Sequence, residues 1–220
     1  MIITKTPLRV SFAGGGTDLP NYYKKHGGMV ISTSIDKFIY VIVRRQVGFL
    51  DYKFRINWSE VEFKNSVSKI NNPIVREVLK YFNINFPIEI STFSDIPGST
   101  GLGSSSSFAV GLINAISTLI KKKLSKKKIA EIAASIEIDI LKRKIGVQDH
   151  YSAAVGGLNL FNFKKNNSVE IKKIKNQPFR KIKKFEKKIV LVFTKQTRNA
   201  SDILSKQYKP TNSQTKDLSL

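Results

Sequence analysis

Leu8, Val10 and Phe12 alternate with Arg9, Ser11 and Ala13 near the start of the chain, the two-residue period of a half-buried strand. That strand runs into Gly14, Gly15 and Gly16, then Thr17 and Asp18, ahead of a short helix-like stretch that ends at Gly27 and Gly28. A strand-rich region follows, with VISTSIDKFIYVIV over 30–43 and FRINWSEVEF over 54–63. NPIVREVLKYF (72–82) predicts an amphipathic helix, and PIEISTFSDI (87–96) a strand. Apolar residues at 109, 112, 113, 116, 119 and 120 recur at the helical period, and another helix is predicted over about 127–144. LNLFNF (158–163) and KIVLVF (188–193) read as strands, and the polar tail YKPTNSQTKDLSL as a frayed end. Strands and helices mix without regular βαβ alternation, so the pattern predicts an α+β fold.

Composition narrows the class. A chain of 220 residues holds one good core, or one core and part of another. Its 41% hydrophobic content is that of a folded protein. The absence of cysteine excludes a disulfide framework and a thiolate metal site. The opening MIITKTPLRV lacks a signal-peptide plan, and no stretch approaches the roughly 18 apolar residues of a membrane span. A soluble, cytoplasmic protein with no membrane partner is expected.

The formal charge of +22 comes mostly from lysine, in the run KKKLSKKK (121–128) and scattered from Lys164 to Lys188. Such a chain can bind nucleic acid through phosphates. No helix-turn-helix, zinc-finger or aromatic single-strand motif accompanies the lysines, so they are expected to form a solvated face, with no specific nucleic-acid partner. An anionic small substrate would suit the same surface. His26 and His150 are too few for a metal cluster and are expected to be ordinary loop residues.

The segment DIPGSTGLGSSSSFAVGLINAI (95–116) concentrates glycine and serine between a strand and a periodic helix. A flexible linker is not usually pinned in such a place. A hydroxyl cap at the helix start accounts for one serine, not four. A helix N-terminus offers unpaired N–H groups, and glycines let an anion approach the backbone, so a phosphate cradle fits the whole segment. No lysine follows Gly103, and position 106 is serine, which excludes a Walker A loop and a dinucleotide fingerprint. On the later helix, at about 100° per residue, Ile129, Ile132, Ala133, Ile136 and Ile140 define one face, and Glu137 falls inside the adjoining arc bounded by Ala130, Ala133 and Leu141. A carboxylate there needs a cation or donors, either a lysine or a metal.

PGSTGLGSSSSF resembles the ATP-binding motif of the GHMP kinases, the superfamily of galactokinase, homoserine kinase, mevalonate kinase and phosphomevalonate kinase. TPLRVSFAGGGTDLP, the stretch from FRINWSEVE to NPIVREVLKYF, and GVQDHYSAAVGGLN look most like the D-glycero-D-manno-heptose 7-phosphate kinases, in the family's order from residue 4 to about 205. The resemblance implies that Pro97, Gly98, Gly101, Leu102, Gly103, Ser104, Ser105 and Ser106 wrap the phosphates of ATP. It implies that Ser105 and Glu137 hold Mg²⁺. Asp149 matches the catalytic aspartate, with a loop or helix-capping aspartate as the alternative, and Arg9 would support it or the transferring phosphate, with a bare surface arginine as the alternative. Gly14, Gly15, Gly16, Thr17 and Asp18 would meet the sugar, although Asp18 would also serve as a cap for the helix beginning near Pro20. Arg198 would reach the sugar or its phosphate.

The implied reaction moves the γ-phosphate of ATP to the anomeric hydroxyl of a heptose 7-phosphate, for nucleotide-activated heptose and surface polysaccharide. A fucose- or galactose-type sugar 1-kinase and a silent ATP-binding fragment are the alternatives, and a homodimer is left open. The implied fold is a mixed sheet with helices in an N-terminal domain over 1–185. Residues 186–220 are expected to begin a ferredoxin-like domain, with the family's third glycine-rich motif not met by residue 220.

Overall fold

The computed structural model describes residues 1–47, 50–174 and 187–192. Its centre is a long strand, β2 (Gly28–Arg45), paired along one edge with β1 (Ile2–Ala13). The other edge of β2 is shared: β6 (Leu158–Phe163) takes residues 28–33, and β5 (Ile88–Ser94) takes 39–45. Val43 thus faces Ile2 on one side and Ile90 on the other. β3 (Phe54–Asn57) joins β5 in parallel and forms a hairpin with β4 (Val61–Lys64), while β7 (Val169–Lys173) closes the far end against β6. One parallel pairing among antiparallel ones makes the sheet mixed, as the α+β reading expects.

Two helices start where the chain supplies a side-chain cap. In α2 (Pro73–Tyr81) the Asn72 side chain accepts the Val75 N–H at 3.0 Å, and Pro73 occupies the first turn, where its missing N–H costs nothing. In α4 (Lys126–Ala134) Ser125 accepts the Lys128 N–H at 3.1 Å. α1 (Pro20–His26) ends at Gly27, whose φ of +80° suits glycine. α3 (Ser104–Leu119) lies against β1 and β2 and buries Leu112, Ile113 and Ile116 on Leu8, Val41 and Val43. Their approach is close: a β-carbon at Gly111 would lie 2.7 Å from Thr6 Oγ1, and Thr4 Oγ1 donates to the Gly111 carbonyl at 2.9 Å. A second cluster joins Tyr23, Tyr151, Phe161 and Phe163 beneath α4 and α5 (Gln148–Val155).

Four local expectations change. The helix predicted over 127–144 stops at Ala134 and continues as one wide, π-helical stretch, Ser135–Ile140. There the Leu141 N–H reaches back five residues to Ile136, and a positive φ of 54° at Lys142 ends the coil. The widened turn seats Glu137 on the packed side, a placement common at functional sites. α5, in contrast, was not expected. Lys188–Val192 form no strand, since no described strand pairs with them, and their apolar side chains are exposed. The alternation in β1 fails at Phe12, which is exposed after a register shift between Ser11 and Ala13. Lysines 121–123 and 126–128 are exposed, as a solvated face requires. No helix among the described residues is long and apolar enough to cross a membrane.

Candidate active site

The glycine-serine segment is a loop that turns into α3. Gly101 and Gly103 both have φ of +77°, and Ser99 has φ of +61°. At Gly103 the need for glycine is double, because a β-carbon there would also lie 3.2 Å from Asp149 Oδ2 and 3.5 Å from Arg9 Cγ. At Gly98 a β-carbon would meet nothing within 4 Å among the described residues, so their packing does not require that glycine. The serines divide the work. Ser107 Oγ donates to the Pro7 carbonyl at 2.9 Å and pins α3 to β1, Ser106 is buried, and Ser105 Oγ donates to Glu137 Oε1 at 2.5 Å. Gly103, not a serine, is the residue that precedes the helix, so no hydroxyl caps it. Among the described residues the Ser104 hydroxyl has no partner, although its oxygen is buried.

Arg9 fastens this loop to Asp149. Its backbone N–H donates to the Leu102 carbonyl at 3.1 Å, and Nη1 to the Gly101 carbonyl at 2.7 Å. Nε and Nη2 both reach Asp149 Oδ1, at 2.7 and 2.6 Å. Among the described residues no hydrogen bond falls on Asp149 Oδ2, the oxygen turned toward Gly103. One oxygen is held and the other is free. A bare surface arginine is therefore excluded for Arg9.

Asp18 lies buried behind that pair. Its Oδ1 accepts the Gly16 N–H at 3.0 Å, its Oδ2 accepts the Gln148 N–H at 3.0 Å, and the Gln148 side chain adds a contact at 3.3 Å. It does not cap α1, where Leu19 is the preceding residue and no side chain caps. It ties the triple-glycine turn to the start of α5. A β-carbon at Gly146 would overlap the Asp18 carboxylate. Thr17 closes the same turn, donating to the Gly14 carbonyl at 2.7 Å and accepting the Met29 N–H at 3.0 Å. Burial pushes the Asp18 carboxyl up, only partly opposed by the Gln148 N–H, and the nearby Asp149 charge adds to the rise.

Glu137 is fully buried and fully used. Beside Ser105, Arg143 Nη1 donates to Oε1 at 2.6 Å, and His150 Nε2 lies 2.9 Å from Oε2. Burial alone would raise its pKa. The hydrogen bond and charge of His150, then Ser105 and Arg143, outweigh it and hold the carboxyl down at about 2. A depressed carboxyl adds stability above its ordinary value of 4.5 and loses it as pH falls toward 2. Without divalent metal, melting curves should therefore fall away below about pH 5. Glu137→Gln should melt lower at pH 7 and show a visibly shallower acid limb. An unchanged limb would remove Glu137 as its source. Asp18, with its raised carboxyl, acts in the opposite sense: its contribution is present below the ordinary value of 3.8 and is lost as pH rises above it.

The three clusters meet at three consecutive residues in the first turn of α5. Gln148 holds Asp18, Asp149 holds Arg9, and His150 holds Glu137. The structure thus gathers Arg9, Asp18, the Gly14–Gly16 turn, the Gly101–Ser105 loop, Glu137 and Asp149. Arg198 lies outside the described residues. His150 is not a loop residue but a buried member of the site, and His26 ends α1, its ring 5.1 Å from Tyr22. Gln148 and Arg143 were missed by sequence reasoning. Adjacency to Asp149 marks the first, whereas Arg143 is hidden in the basic run LKRK. Among the described residues no group of three or more His, Asp or Glu side chains could hold a metal alone.

Comparison with known proteins bears on the fold. Residues 67–157 match the family model of the GHMP kinases N terminal domain. The chain is 34% identical over 214 residues to D-glycero-alpha-D-manno-heptose 7-phosphate kinase of Campylobacter jejuni, covering 92% of this chain and 62% of that protein. Mevalonate kinase of Saccharolobus solfataricus is 29% identical, over 73% of this chain and 51% of its own length. Among solved structures, a D-glycero-D-manno-heptose 1-phosphate kinase from Bacteriodes thetaiotaomicron superposes with a TM-score of 0.73 at 25% identity, over 80% of this chain and 61% of that one. The chain thus spans between half and somewhat under two thirds of these relatives. The glycine-serine loop, α3, Glu137 and Asp149 lie inside the stretch that matches the GHMP kinases N terminal domain, and the fold around them is similar to that of the heptose 1-phosphate kinase structure.

Proposed function

We propose that this protein is an ATP-dependent sugar kinase that phosphorylates the anomeric hydroxyl of D-glycero-D-manno-heptose 7-phosphate. The observation that carries the reading is the Arg9–Asp149 pair, held against the glycine turn at the N-terminus of α3. It sets a carboxylate beside the backbone N–H groups suited to phosphate. In the proposed reaction the sugar hydroxyl gives its proton to Asp149 Oδ2 as its oxygen attacks the γ-phosphorus. The new C–O–P linkage forms while the bond to the β–γ bridging oxygen breaks, and ADP leaves. Arg9 fixes Asp149 through Oδ1 and brings positive charge to the loop. Asp18 holds Gly14–Gly16 beside α5, which leaves the sugar a wall of backbone on that side.

Ser105 Oγ and Glu137 Oε1 suit magnesium: both are hard oxygens, one belongs to an anionic carboxylate, and a cationic group already bridges them. These two residues would hold the ion with phosphate oxygens completing its shell, and the ion, when bound, offsets phosphate charge. Residues 1–185 would form the ATP-binding domain and 186–220 the opening of a second. Such a kinase would work in the cytoplasm, where ATP is available, and would feed the synthesis of nucleotide-activated heptose.

Phosphoryl transfer from ATP is tested with heptose 7-phosphate, heptose 1-phosphate, galactose and fucose, with products followed by ³¹P NMR. An anomeric phosphate on the heptose 7-phosphate is expected, at the highest kcat/KM of the four. Preference for heptose 1-phosphate or a free sugar would replace the acceptor. Nucleotide binding with no acceptor phosphorylated would leave the silent fragment.

A further inference from the structure

Arg143 lies in the irregular stretch between the wide turn and α5, and its N–H returns to the Glu137 carbonyl at 2.9 Å. That bond folds the side chain back over the carboxylate it follows by six residues. Nη1 then donates to Ser105 Oγ at 2.5 Å and to Glu137 Oε1 at 2.6 Å, while the Ser105 hydroxyl donates to the same Oε1 at 2.5 Å. The three atoms form a closed triangle. The arginine side chain is one third exposed, whereas Glu137 is fully buried. No other hydrogen bond holds the guanidinium among the described residues, so its charge is committed to these two oxygens at the open side of the site.

We propose that Arg143 is the resident counter-ion of the metal-site oxygens and that it competes with the divalent metal for them. The proposal rests on the reading of Ser105 and Glu137 as metal ligands. Two constraints support it. An ion bridging Ser105 Oγ and Glu137 Oε1 needs the space that Nη1 fills, and two cations against one buried carboxylate oxygen repel strongly at low dielectric. Glu137 with no cation at Oε1 would also be costly, even with His150 at Oε2, because removing one partner of a buried charge destabilises a fold by far more than the pair stabilises it. Arginine suits the task. Its long, partly exposed stem can swing the head to water, and its fork spans two acceptors where a lysine ammonium is a point charge. Metal affinity is then set by an exchange of cations and not by an open site. The chain keeps its carboxylate paired at every stage.

The test is calorimetric titration of the full chain with ADP at stepped Mg²⁺ concentrations, with melting curves in EDTA and in Mg²⁺. Arg143→Gln should lower the half-saturating Mg²⁺ concentration about tenfold, equivalent to about 1.4 kcal/mol. It should also melt lower in EDTA and gain more from Mg²⁺ than the parent chain. Arg143→Lys, with a shorter and more strongly hydrated head, should fall between the two, and serves where the glutamine variant does not fold. A merely structural arginine would lower the melting temperature and leave the Mg²⁺ requirement unchanged. That result, or a higher requirement in either variant, overturns the exchange. If ADP binding to the parent chain is indifferent to Mg²⁺, the metal-site reading itself fails, and the exchange with it.

Discussion

Asp149→Asn is expected to slow phosphoryl transfer by roughly 10²–10⁴-fold, the usual worth of a positioned acid–base group, while ADP affinity stays within a few-fold. Asparagine keeps the shape of the side chain and its hydrogen-bonding oxygen for Arg9. It removes the free carboxylate oxygen beside Gly103, which is where the proton of the acceptor hydroxyl would go. The loop is anchored independently of that oxygen, by the Arg9 N–H on Leu102 and Nη1 on Gly101. The nucleotide site should therefore survive. The loss should fall on kcat, with little change in the KM for ATP, because a group acting in the transition state has been removed. Initial rates at saturating heptose 7-phosphate, with ADP binding measured in parallel, separate the two effects. Normal turnover would remove Asp149 from the chemistry, and loss of nucleotide binding would make it a scaffold for the loop.

The largest stability effect should come from the acceptor side. Gly14 has φ of +85°, and a β-carbon there would overlap the Met29 carbonyl, which belongs to the central strand and cannot move cheaply. Gly14→Ala combines left-handed strain of about 1–3 kcal/mol with overpacking of about 1–3 kcal/mol. For a domain of this size the sum corresponds to a fall in Tm of very roughly 10 °C. Gly98→Ala is the control, since its β-carbon would meet nothing within 4 Å and its φ is not left-handed. It should melt within about 2 °C of the parent, as surface changes do. If Gly14→Ala also melts within that margin, the turn yields, and the closure of β1 onto β2 there is looser than its geometry implies. The outcome bears on function because the same turn is tied through Asp18 to Gln148, next to Asp149.

Elements with a clean period were visible in the chain itself. LNLFNF is a short apolar, aromatic run, and β6 has the bounds it predicts; the helix that became α3 shows its apolar stripe from Ala109 to Ile120. The glycine-serine loop and Glu137 also declare themselves, the first by composition and the second by lying on an apolar face where a charge is out of place. Each is a local property of one segment, set by backbone periodicity and side-chain polarity, and needs no distant partner to be seen.

What only the tertiary structure decided involves two segments at once. Arg9 and Asp149 are 140 residues apart, and either alone reads as a solvated charge; their contact exists because β1 and α5 converge beside the loop. His150 reads as an isolated histidine until folding places Glu137 at 2.9 Å, and Arg143 as one more cation among many until the wide turn folds it back. Asp18 reads as a sugar contact by resemblance or as a local helix cap; that its carboxylate binds Gln148, 130 residues on, only folding decides. Glu137 needs donors wherever it is buried, and that much follows from its sequence position. Which donors meet it follows from packing, because a folded chain satisfies a buried charge with whatever its neighbouring elements bring within reach.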